Sequence, residues 1–76
     1  MSSNQTENTD KIEPWKERFY EEQKQLAERH NKLMAFVGTG EFLSLPVADQ
    51  DLLMIQLGAM SAYRAALGAR ARRFVN

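Results

Sequence analysis

Cysteine is absent from the 76 residues, histidine occurs once, and proline occurs only twice. Without cysteine there are no disulfides, and a single His30 leaves too few soft ligands for a zinc site. No apolar run approaches the roughly 18 residues of a membrane span, and the polar start does not read as a signal peptide. A soluble intracellular protein is therefore expected. Acidic residues are also missing from one part of the chain. Residues 1–51 hold all ten acids against six bases, a net −4, whereas residues 52–76 hold four arginines and no acid, a net +4. That asymmetry fits either antiparallel complementarity between helices or an anion site. A core this small rarely supplies more than ~3–5 kcal/mol of net stability. With disulfides and metal set aside, self-association is the remaining staple.

What is present is helix. Residues 51–74, DLLMIQLGAMSAYRAALGARARRF, contain no proline. At 100° per residue, Leu53, Leu57, Met60, Leu67, Ala71 and Phe74 fall on one apolar stripe. Ile55, Ala59, Ala62, Ala66 and Ala69 make a second, small-residue face. A helix apolar on two sides needs cover on both, and one partner helix covers only one.

Residues 1–13 are polar and aperiodic and read as a disordered tail before a single helical domain, 14–76. Pro14 suits the first turn of a helix expected to run to Val37. Its stripe is Trp15, Phe19, Leu26, Leu33, Phe36 and Val37, with the charged Glu22 and Arg29 on the same line. Gly38-Thr39-Gly40 stops that helix, with Gly38 or Gly40 suited to a left-handed cap. Residues 41–45 are expected to form a short helical turn tucking Phe42, Leu43 and Leu45 over the connection. Pro46 then opens the last helix behind a cap at Ser44 or Leu45. The fold class expected is all-α: an antiparallel helical hairpin with a short helical turn at the connection, assembling into a symmetric homo-oligomer. Counting outward from the turn sets Glu22 opposite Arg64. Either the two form a seam ion pair that fixes register, or Arg64 serves a ligand.

No catalytic constellation is present, and an enzyme is not expected: there is no nucleophile–base pair, and His30 has no evident partner. His30 sits at the margin of the first stripe and reads most simply as a partly exposed polar residue, with a ligand contact as the lesser alternative. Thr39 and its flanking glycines offer a helix cap or, alternatively, a phosphate contact. Tyr20 faces away from the stripe beside cations, so it either stacks on a nucleobase or packs in a subunit interface, and Tyr63 carries the same alternatives. Arg70, Arg72 and Arg73 lie 100° or more apart on a helix and do not form one patch, so DNA binding is not expected.

From Pro14 to Phe74 the chain resembles a family of small proteins related to crAss-like phage genes. The resemblance rests on Pro14, Trp15, Arg18, Phe19 and Glu22, then Leu26, Arg29, Lys32, Leu33 and Ala35 to Thr39. It continues through Phe42, Leu45 and Pro46, and through Leu52, Leu53, Gln56, Leu57, Met60, Tyr63, Leu67, Arg70 and Phe74. Some members are anti-CBASS sponges, helical hexamers that withhold cyclic di- and trinucleotide messengers from bacterial antiphage effectors without cleaving them. The resemblance implies a phage immune-evasion protein in the cytoplasm of the infected host, with cyclic oligonucleotides and further copies of itself as partners. No cofactor and no membrane partner are expected. Carried onto this chain, it assigns Trp15 or Tyr20 to base stacking, Lys32 to phosphate, Thr39 to a hydroxyl contact, and Arg64 or Arg70 to the guanidinium role. The competing class is an inert helical adaptor whose surplus apolar face binds a host or phage protein.

Overall fold

Pro14 can begin a helix because the N–H it lacks has no helical partner in the first turn anyway. In the computed structural model, which describes residues 13–74, helix α1 spans Pro14–Val37, as the spacing predicts. The carbonyl of Glu13 closes its first turn, accepting from the N–H groups of Lys16 and Glu17 at 2.9 and 3.2 Å. The rest of the expected tail lies outside the described residues. Helix α1 ends at Gly38, whose φ of −89° is not left-handed. Among the described residues no glycine has positive φ, which corrects the expected left-handed cap.

Thr39 instead caps the next element. Its Oγ1 accepts from the N–H of Phe42 at 3.2 Å and donates to the carbonyl of Phe36 at 2.6 Å, starting the four-residue helix α2, Gly40–Leu43. Phe42 is buried and meets Phe36 edge-on, ring centroids 6.0 Å apart. Leu43, expected to tuck in, is 70% exposed. Helix α3, Val47–Arg72, begins behind Pro46 rather than behind Ser44 or Leu45. Pro46 has no side-chain acceptor to offer, but its carbonyl accepts from Asp49 and Gln50. The Gln50 side chain also reaches back to the carbonyls of Leu43 and Leu45, at 3.1 and 2.9 Å. That pair of bonds ties the connection to the start of α3.

Contacts between α1 and α3 run in reverse order of sequence. Phe19 meets Phe74, Leu26 joins Leu67 in one core cluster, and His30 meets Arg64. The α1 residues turned inward are Phe19, Gln23, Leu26, His30, Leu33 and Val37, spaced four and three apart. This corrects the predicted stripe by one residue at two positions. Gln23 and His30 stand in the seam, while Glu22 and Arg29 are exposed. On α3 the expected stripe holds: Leu67 is 1% exposed, and Leu53, Leu57, Met60, Ala71 and Phe74 are partly buried.

Four apolar side chains are buried among the described residues: Phe19, Leu26, Phe42 and Leu67. Against these, Val47, Leu52 and Ile55 at the start of α3 are 70%, 63% and 67% exposed. Every member of the small-residue face, Ile55, Ala59, Ala62, Ala66 and Ala69, is exposed as well. Helix α3 is also long and apolar enough to cross a membrane by length and composition alone, with an 18-residue window of mean hydropathy 1.2. The expectation that no segment approaches a span is corrected accordingly.

Candidate functional site

One register decides what the seam can do. Arg64 was expected opposite Glu22, but its Nη1 lies 2.9 Å from His30 Nδ1 and donates to Asn31 Oδ1 at 3.3 Å. His30 is eight residues, about two turns, further along α1 than Glu22. The symmetric count assumed that the two helices start level at the turn, and they do not. Extended at constant register, Val37 at the end of α1 comes level with about Leu57, so the first turns of α3 project beyond α1. The Glu22–Arg64 ion pair is therefore not formed. His30 is buried at 8% exposure rather than partly exposed, and it is the buried polar partner of the guanidinium.

Beside Arg64, α1 and α3 leave an open groove of about 470 Å³. Tyr20, Gln23, Lys24, Leu26 and Ala27 line it from α1, and Arg64, Leu67 and Gly68 from α3. Its floor is apolar at Leu26 and Leu67. Its polar groups are a phenol, an amide, an ammonium and a guanidinium. Gly68 sits within α3, ahead of its last turn, where glycine costs about 1 kcal/mol relative to alanine. A Cβ built there meets nothing nearer than Arg72 Nη1 at 4.0 Å, so backbone packing does not demand the glycine. At Gly68 the groove is lined by backbone alone.

Of the six residues assigned by resemblance, Tyr20 and Arg64 come together in this groove. Tyr20 is 44% exposed, but it does not simply face away from the core: its ring meets Phe19 and Phe74 edge-on, centroids 5.4 and 6.3 Å apart. Trp15 and Arg70 belong to an adjoining aromatic cluster around Phe74. The Trp15 ring stands at 86° to Phe74 with centroids 5.0 Å apart, and its indole N–H donates to Glu13 Oε1 at 2.6 Å. The Arg70 guanidinium lies 4.9 Å from the Phe19 ring centroid, and Lys16 lies over both Trp15 and Phe74. Lys32 is exposed and does not line the groove. Thr39 sits at the far end of α1 with its hydroxyl engaged as both donor and acceptor in the cap.

Sequence reasoning passed over Lys24, Gln23 and Asn31. Lys24 falls one turn beyond Tyr20 on the same face, and that i,i+4 spacing was the available signal. Asn31 carried none. Among the described residues no cluster of His, Cys, Asp and Glu is suited to hold a metal ion.

Set beside known proteins, residues 13–73 match the sequence model of one family, described as Sequestin. No curated protein and no solved structure matches the chain.

Proposed function

The chain belongs to the Sequestin family, the anti-CBASS sponges its residues resemble, and from that premise we propose that it sequesters cyclic di- or trinucleotide messengers without cleaving them. The observation that carries this reading is the groove. Tyr20 gives a flat aromatic for a base, while Lys24 and Arg64 give cations for phosphates around one space of about 470 Å³. Pockets for small ligands span roughly 300–1,000 Å³, so the volume is of the right order. Arg64 is bonded to an imidazole and an amide, neither of which neutralises its charge. An anionic ring would do so.

The binding form is a symmetric homo-oligomer, six copies by the resemblance, working in the cytoplasm of the infected bacterium. Ile55, Ala59, Ala62, Ala66 and Ala69 are exposed along α3, and small residues let a second helix approach closely. A second copy rather than lipid covers them, since the neighbouring α1 carries exposed Lys24, Glu28 and Lys32. Rotational symmetry then repeats Tyr20, Lys24 and Arg64 around a ligand that itself has repeated phosphates.

Leu43, Val47, Leu52 and Ile55, all more than 60% exposed, favour a second reading: an adaptor that docks on another protein. Thermal unfolding separates the two. A sponge melts at a higher temperature with excess cyclic di- or trinucleotide, and chromatography after denaturation returns the ligand uncut. No shift with any cyclic nucleotide leaves the adaptor reading standing, and recovery of linear product contradicts sequestration.

A further inference from the structure

We propose that His30 and Asn31 are positioning residues for Arg64, holding its guanidinium so that the edge they leave free faces a ligand phosphate. The inference rests on the sequestration reading and names how that site is set. Both protein contacts leave from one nitrogen, Nη1, to His30 Nδ1 at 2.9 Å and Asn31 Oδ1 at 3.3 Å. The opposite edge of the guanidinium, Nε and Nη2, is used by neither. That edge is a two-donor fork of the kind that grips a phosphate with two parallel bonds.

An arginine carries no acceptor, so His30 Nδ1 must be the acceptor in this pair. The imidazole is then neutral, with its proton on Nε2. His30 Nδ1 and the Asn31 amide oxygen together fix which edge of the guanidinium faces the protein.

The test has two arms. Nitrogen-15 spectroscopy of the ligand-free protein reads the tautomer of His30 and expects the Nε2–H form at neutral pH; an Nδ1–H form overturns the proposal. Affinity for a panel of cyclic di- and trinucleotides, 3′,5′-cyclic di-adenosine monophosphate and the cyclic tri-adenylate among them, is then compared in wild type, His30→Ala, Asn31→Ala and His30→Asn, with a melt of each. His30→Ala is expected to bind about tenfold more weakly, the effect of losing one charge-assisted bond. His30→Asn places an acceptor near the Nδ1 position and should restore most of that loss. Unchanged affinity in His30→Ala and Asn31→Ala, or an equal fall in His30→Asn, overturns the positioning role alone. Absence of wild-type binding to every member of the panel overturns the sequestration reading as well.

Discussion

At the residue scale, burial separates side chains that hold the fold from those left for a ligand. Leu67 is 1% exposed and joins Phe19 and Leu26 in the core cluster, with Met60, Ala71 and Phe74 packed against it. Leu67→Ala should destabilise by about 2–5 kcal/mol, read from denaturant melts. Glu22 is exposed and unconnected to Arg64, so Glu22→Ala should change stability by no more than about 0.5 kcal/mol. A loss of several kcal/mol would instead mark a buried ion pair. Thr39→Ala removes the α2 cap and should cost about 1 kcal/mol with cyclic-nucleotide affinity unchanged. A loss of affinity without a loss of stability would return Thr39 to the ligand.

At the element scale, the long helices were legible because each is opened by a proline and runs unbroken. The bounds of α1 follow from Pro14 and from the glycines after Val37. Which residues face inward was less legible. Glu22 and Gln23 are neighbours, as are Arg29 and His30, and all four are polar, so hydropathy could not choose between them. Packing chose the 19, 23, 26, 30 series, which keeps the charges of Glu22 and Arg29 out of the seam. The register escaped the sequence for another reason: α2 and Gln50 shape the connection through backbone carbonyls, which no side-chain pattern encodes. Gly68 offers a test at this scale. Gly68→Ala should stabilise α3 by up to about 1 kcal/mol. Gly68→Glu, folded to the same degree, should abolish cyclic-nucleotide binding by placing an acid in the groove. Unimpaired binding by the Glu variant would move the site elsewhere.

At the scale of the whole molecule, the buried core is small for the apolar surface left outside. Phe19, Leu26, Phe42 and Leu67 are buried, while Leu52, Ile55 and the alanine face of α3 are exposed. Ala66→Glu on that face should dissociate the assembly, read by light scattering after gel filtration, and lower the melting temperature with it. A wild-type protein that is monomeric and stably folded at micromolar concentration would contradict the assembly. Of the candidate site, the chemistry was legible and the grouping was not. Tyr20 and Arg64 stand out by type, but only the observed register puts them with Lys24 in one groove. The central claim is reversible capture of an intact cyclic messenger, and calorimetric titration of the protein with a panel of cyclic di- and trinucleotides tests it most directly. The account predicts saturable binding of at least one of them, weakened in Arg64→Ala and in Tyr20→Ala, the latter by about 1–3 kcal/mol. No heat of binding with any of them at concentrations of about tens of micromolar, where a micromolar site would saturate, would contradict it.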